Sequence, residues 1–92
     1  MEALRRMTIM PAERLQGSVP AMARKGRIKV GADADLTIFD PATVIDRATF
    51  TEPTLPSAGI AHVLVNGTFV VRDGALVSGA LPGRPVRSAP KP

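Results

Sequence analysis

Apolar residues follow two rhythms along this chain. From Glu2 to Met10 they recur at helical spacing: Leu4 and Met7 share a face, Arg5 and Arg6 point away, and Glu2 sits in the first turn, where the helix dipole favours an acid. Pro11 cannot continue that helix but opens a second short one, Pro11 to Leu15, which Gly17 ends. From Gly26 the rhythm becomes alternation. Ile28 and Val30 interleave with Arg27 and Lys29, Gly31-Ala-Asp-Ala interrupts, and Leu36-Thr-Ile-Phe39 resumes until Asp40-Pro41 stops the run. Two short strands around a tight Gly/Asp corner are predicted, and the rest of the chain leads into or pairs with this stretch.

Between the helices and that stretch, Ser18 to Lys25 is a connector with a helical turn over Ala21 to Arg24. After it, Pro41 to Asp46 reads as one helical turn. Arg47 to Ser57 has three Thr and two Pro without periodicity, a loop long enough to need a surface beneath it. The second strong signal is Ile60 to Val77. Asn66-Gly67 between two β-branched runs marks a type I′ hairpin, and Asp73-Gly74 repeats the device ahead of a third strand, Ala75 to Val77. A two-residue turn sets Val65 opposite Thr68, Leu64 opposite Phe69, Val63 opposite Val70 and His62 opposite Val71. One face then carries Val63, Val65, Thr68 and Val70, the other His62, Leu64, Phe69 and Val71. A meander that is apolar on both faces requires cover on both sides, more than two short helices supply.

The predicted fold is therefore mainly β with an N-terminal helix: a small antiparallel sheet, half of a sandwich, completed by oligomerisation with a dimer favoured. Residues 1–25 form a helical lead-in and connector, 26–80 a β domain with the long loop 41–59, and 81–92 an extended tail rich in Pro and Gly.

Composition narrows the choices. At 92 residues the chain is one domain at most, with a thin core. Its only aromatics are Phe39, Phe50 and Phe69, and it has no cysteine, which removes disulfides, thiolate metal sites and cysteine nucleophiles. Glu2, Arg5 and Arg6 interrupt the N-terminal segment, so neither a signal peptide nor a membrane span is predicted, and a cytoplasmic address is expected. The net charge of +4 gathers at Arg24, Lys25, Arg27 and Lys29 and in the tail at Arg84, Arg87 and Lys91. No stacking aromatics accompany these charges, so they read as a solvated face rather than a nucleic-acid platform.

Hydrolytic chemistry finds no constellation. Metal-assisted catalysis needs several converging His or carboxylate ligands, and the chain has one histidine, His62, read as a half-buried strand residue with a local hydrogen-bond partner. Asp33 and Asp35 flank Ala34 in a corner where Asp side chains accept backbone N–H bonds. Ser18, Ser57, Ser78 and Ser88 lie in loops or the tail without a partner base, and Gly31, Gly67 and Gly74 belong to strand corners rather than to a phosphate loop. No catalytic, cofactor-binding or metal-ligating residue is assigned, and no cofactor is expected.

One ordered set of motifs does point to a family. Met7-Thr8, Pro11-Ala-Glu-Arg-Leu15, Lys25-Gly-Arg-Ile-Lys-Val-Gly-Ala-Asp-Ala-Asp-Leu-Thr-Ile-Phe-Asp-Pro41, Ala48-Thr-Phe-Thr-Glu-Pro53, Ile60-Ala-His-Val-Leu-Val-Asn-Gly67, Val70-Val-Arg-Asp-Gly74 and Pro82-Gly-Arg84 together resemble the C-terminal end of an amidohydrolase-superfamily enzyme. The nearest branch is that of the N-acyl-D-amino-acid deacylases, and the resemblance runs from Leu4 to Arg87. It implies a metal-dependent (β/α)₈ barrel that hydrolyses an amide with a metal-activated water and carries a small β-sandwich built from both chain ends. The catalytic ligands of such enzymes lie in the barrel, and none of their positions exists here. Two readings stay open: a non-catalytic C-terminal piece of such an enzyme, or a free-standing homo-oligomeric β module without enzymatic activity.

Overall fold

The computed structural model describes residues 1–88, so the last four positions of the predicted extended tail lie outside the described residues. The chain forms two units, Met1–Asp35 with the tail from Gly83, and Leu36–Pro82. Among the described residues no helix is long and apolar enough to cross a membrane.

The first unit holds α1 (Glu2–Met7), α2 (Ile9–Leu15) and a 3₁₀ turn at Pro20–Arg24. The helix predicted to run through Met10 breaks earlier, at Thr8, whose backbone leaves the helical region (φ −121°, ψ −83°). The Thr8 hydroxyl donates to the Leu4 carbonyl at 2.6 Å, the local side-chain bond by which threonine competes with the helical ladder. Pro11 consequently falls in the first turn of α2, where a missing N–H costs nothing. At the far end the Val19 N–H donates to the Leu15 carbonyl at 2.8 Å, closing the helix into the predicted connector.

Ala12 alone among the described residues is fully buried, 1% exposed. It is buried because the backbone of Gly26, in the left-handed region at φ +68°, packs against Thr8 and Ala12. A methyl group is the most that this contact admits at position 12.

The strand predicted over Arg27 to Val30 does not form. The Arg24 carbonyl accepts from the Asp33 N–H at 2.9 Å and the Lys29 carbonyl from the Ala32 N–H at 3.1 Å, so the segment folds back on itself. Side-chain charge decides this. Lys25 reaches Asp33 at 3.0 Å and Asp35 at 2.6 Å, and Arg24 reaches Asp33 at 3.3 Å. An extended chain rising about 3.3 Å per residue would hold these partners apart. Ile28 and Val30 then project from the loop, 88% and 101% exposed, so their alternation with Arg27 and Lys29 marks no buried face.

The second unit is a four-stranded antiparallel sheet in the order β1 (Leu36–Phe39), β2 (Ile60–Val65), β3 (Thr68–Arg72) and β4 (Ala75–Leu76). Asn66 and Gly67 take φ +50° and +76°, Asp73 and Gly74 +51° and +78°, as the two predicted tight turns require. Val65 pairs with Thr68 and Leu64 with Phe69, as the turn dictates, but Val63 pairs with Val71. Val70 is left as the extra residue of a β-bulge, which moves Val71 from the predicted Leu64 face to the Val63 face. A second bulge at Ala61 separates the pairs Ile38–His62 and Phe39–Ile60. Each bulge has a use: the Ala61 carbonyl accepts from Gly74 N–H at 2.9 Å, and the Val70 carbonyl from Val77 N–H at 2.9 Å.

The pairings place Thr37, Val63, Val71 and Leu76 on one face and Leu36, Ile38, His62, Leu64 and Phe69 on the other. No residue of the sheet is fully buried; Leu76 is 85% and Ile38 48% exposed. Both faces are thus apolar and open, as the hairpin pattern predicts. Asp40 starts the turn after β1, its carboxylate accepting from Ala42 N–H at 2.9 Å and its carbonyl from Val44 N–H at 2.9 Å. The long loop that follows is closed at its base by a two-way bridge between Ile45 and Ala58.

Candidate functional site

Three places in the fold gather chemistry-bearing or exposed groups. The first is the ion cluster of the Gly26 loop. Lys25 donates to both Asp33 and Asp35, and these hydrogen bonds, Asp35 foremost, raise its pKa above the ordinary 10.5. Asp33 is held below its ordinary 3.8, chiefly by the same Lys25 bond, with Arg24 adding to it. Beside the cluster, Arg27 donates to the Lys25 carbonyl at 2.9 Å and the Gln16 side-chain oxygen at 3.0 Å, pinning the loop to the end of α2. Asp33 and Asp35, considered from sequence as turn builders, are ion-pair partners that lock the loop. Carboxylates so neutralised are poorly suited to binding a metal or taking a proton.

The second is the end of the sheet where the Asp73-Gly74 turn between β3 and β4 meets the start of β2. His62 is half-buried, and its Nδ1 accepts from the Asp73 N–H at 3.2 Å while Nε2 lies 3.8 Å from an Asp73 carboxylate oxygen. This is the local partner expected for it. Phe69 meets the imidazole edge-on, centroids 5.6 Å apart, and the Arg72 guanidinium stands 4.8 Å from the Phe69 ring centre. A wide, open hollow of about 350 Å³ lies between the Asp40 turn and the Asp73-Gly74 turn, lined by Asp40, Thr43, Gly59 and Ile60 among others. The Asp40 carboxylate in it is committed to the turn hydrogen bond from Ala42 N–H, and His62 has one carboxylate neighbour, Asp73, rather than several. Among the described residues no group of three or more His, Cys, Asp or Glu side chains could hold a metal ion. Ser18 and Ser78 lie in turns and Ser57 in irregular chain, with no base beside them in any hydrogen bond described.

The third is the loop 47–57, which sequence reasoning passed over as aperiodic. Its apex Phe50 is fully exposed, at 109%. Thr49 and Glu52 clasp the apex: Glu52 N–H donates to Thr49 Oγ1 at 2.9 Å and Thr49 N–H to the Glu52 carbonyl at 3.1 Å. Asp46 accepts from Ala48 N–H at 2.9 Å one step earlier. The signal was present in the sequence, since Thr49-x-x-Glu52 has the spacing of a capping box and Asp46-x-Ala48 that of an Asx turn. These residues hold an aromatic side chain out in water beside a shallow hollow of about 330 Å³ lined by Ala48, Thr49, Phe50 and Pro53.

Comparison with known proteins explains why a chain with open sheet faces has so little chemistry of its own. The profile of the Amidohydrolase family matches residues 1–71. An N-acyl-D-glutamate deacylase from Alcaligenes xylosoxydans xylosoxydans is 53% identical over 68 residues, and a D-aminoacylase from the same organism 50% identical over 54. Those stretches take up 74% and 59% of this chain but only 13% and 11% of the relatives, so the chain spans about an eighth of their length. Among solved structures, a D-aminoacylase studied for its binuclear metal centre superposes on 91% of this chain and 16% of its own, at TM-score 0.77 and 40% identity. An N-acyl-D-glutamate deacylase from Bordetella bronchiseptica, complexed with zinc and a phosphonate inhibitor, superposes on 80% of this chain and 16% of its own, at TM-score 0.64 and 48% identity. The residues of this chain do not fit such a metal centre: its single histidine has one carboxylate beside it, and Asp33 and Asp35 are spent on Lys25. Sequence and fold agree at these identities, and the chain belongs to the amidohydrolase family, on its D-aminoacylase branch.

Proposed function

We propose that this chain is the non-catalytic C-terminal β portion of a metal-dependent amidohydrolase, contributing half of a composite β-sandwich to an enzyme that hydrolyses N-acyl-D-amino acids in the cytoplasm. The observation that carries the reading is the sheet itself. Valine, leucine, isoleucine and phenylalanine line both its faces, yet none of them is fully buried, so it is built to be covered by another layer. In the parent the metal-activated water, its ligands and the proton acceptor would be supplied by the barrel. This portion would supply packing area and a fixed position for the helices α1 and α2.

Purified chain, with and without added zinc, tests the non-catalytic part. No hydrolysis of N-acyl-D-glutamate, N-acyl-D-aspartate or a neutral N-acyl-D-amino acid is expected, and no stoichiometric zinc retained after dialysis. Zinc-dependent turnover by the chain alone would overturn the reading.

The open faces also favour a second reading, a homo-oligomeric module in which two copies cover one another, with a dimer favoured. Sedimentation separates the two. A discrete, cooperatively unfolding dimer at micromolar concentration supports the module, whereas ill-defined association supports the portion of a larger enzyme.

A further inference from the structure

The loop 47–57 is ordered by its own short-range bonds, so the position of Phe50 does not depend on anything packing against it. The Ile45–Ala58 bridge fixes the base, Asp46 caps Ala48, and the reciprocal Thr49–Glu52 pair closes the apex. Three hydrogen-bonding devices are thereby devoted to presenting one phenyl ring to solvent. In a chain without Trp or Tyr, that ring is among its three largest apolar groups. With the backbone beneath it already ordered, burying the ring costs its own side-chain rotamer freedom but no ordering of the loop, which favours an anchor residue at an interface.

We propose that Phe50 is a docking residue: it seats in an apolar hollow on the remaining polypeptide of an amidohydrolase of this family, and the recess between Ala48 and Pro53 receives an apolar side chain in return. Two observations choose this occupant. The family match covers residues 1–71 and so spans the loop. The D-aminoacylase whose fold superposes on 91% of this chain has only 16% of its residues in the match, so the same framework exists there with a large body of further polypeptide available to cover it. The inference rests on the reading that this chain is one portion of a longer amidohydrolase, and it names the contact by which the portions recognise each other.

The test co-expresses the tagged 92-residue chain with an N-acyl-D-glutamate deacylase of the matched kind cut ahead of the segment that corresponds to this chain. Capture on the tag and zinc-dependent hydrolysis of N-acyl-D-glutamate are both read. The wild-type chain is expected to capture the truncated enzyme, Phe50→Ala to reduce the apparent affinity at least about tenfold, and Phe50→Leu to keep most of it. Because Phe50 packs against nothing in the fold, its variants should give the wild-type circular dichroism spectrum. Capture that Phe50→Ala leaves unchanged overturns the docking role while the wider reading stands. Failure of the wild-type chain to capture its partner overturns both. Self-association of the chain that Phe50→Ala abolishes would make a second copy the occupant and overturn the assignment to the enzyme.

Discussion

Gly26 lies against the Thr8 carbonyl so closely that a β-carbon on residue 26 would overlap it, and would stand 3.0 Å from the β-carbon of Ala12. The break between α1 and α2 is therefore also the seat of the loop that follows. Gly26→Ala should destabilise the first unit by about 2 kcal/mol or more, since the left-handed conformation costs an L-residue roughly 1–2 kcal/mol before any displacement of the carbonyl. Gly79, also at a positive φ of +76° but facing open space, is the matched control, and its Ala variant should lose only about 1 kcal/mol. Urea unfolding followed by far-UV circular dichroism checks the difference. Equal losses at the two positions would refute the close contact.

The loop's ion cluster gives a defined pH window. Asp33 has its pKa lowered by Lys25, so its stabilisation is complete above 3.8 and is lost as pH falls through the lower folded value. Lys25 has its pKa raised by Asp35 and Asp33, so its share is complete below 10.5 and is lost as pH climbs through the higher folded value. The order of the Gly26 loop should stay level across neutral pH and decline at both extremes. Amide exchange in Gly26 to Asp35 reads this directly, and Asp33→Asn should remove Asp33's share of the acid-side decline. A loop whose protection drifts steadily between the two limits would contradict the assignment.

Asn66 serves twice, holding φ +50° in the hairpin turn and donating its side-chain amide to the Pro82 carbonyl at 2.7 Å. The two roles separate by substitution. Asn66→Gly keeps the turn and loses the side-chain bond, at about 1 kcal/mol. Asn66→Ala loses both, at roughly 2 kcal/mol. Hydrogen exchange across β2 and β3 should rank the variants in that order; a glycine variant as damaged as the alanine one would show that the turn geometry carries little of the cost.

His62 accepts the Asp73 N–H through Nδ1, so the neutral ring must carry its proton on Nε2. Nitrogen chemical shifts of the neutral imidazole should show that tautomer alone. His62→Gln, which offers an acceptor of similar reach, should preserve the Asp73-Gly74 turn better than His62→Leu.

Which parts of this were readable in the sequence follows from the range of the forces involved. Asn66-Gly67 and Asp73-Gly74 announce their turns because few residues tolerate positive φ, and that constraint is local. The turn at Asp40 was legible from another local rule, its carboxylate accepting the N–H two residues on, whereas Gly17 closes α2 without taking a positive φ. The pairing of Lys25 with Asp35 is not local, and it folds back a stretch whose Ile28–Val30 alternation otherwise resembles a strand. The bulge at Val70 was hidden for another reason: with apolar residues on both faces, moving Val71 across the sheet leaves no polar residue misplaced, so the pattern does not report it. At the Phe50 loop the Thr49–Glu52 clasp was legible as spacing, but the exposure of the ring it presents follows only from the three-dimensional arrangement.

The two bulges also restrict what can lie on this sheet. Each adds a residue to one side of a strand pair and tightens the local right-handed twist, and they fall close together, at Ala61 on β2 and at Val70 on β3, opposite the step from Val63 to Leu64. Any layer that covers the sheet has to follow this local twist across β2 and β3 rather than lie flat on a regular ladder.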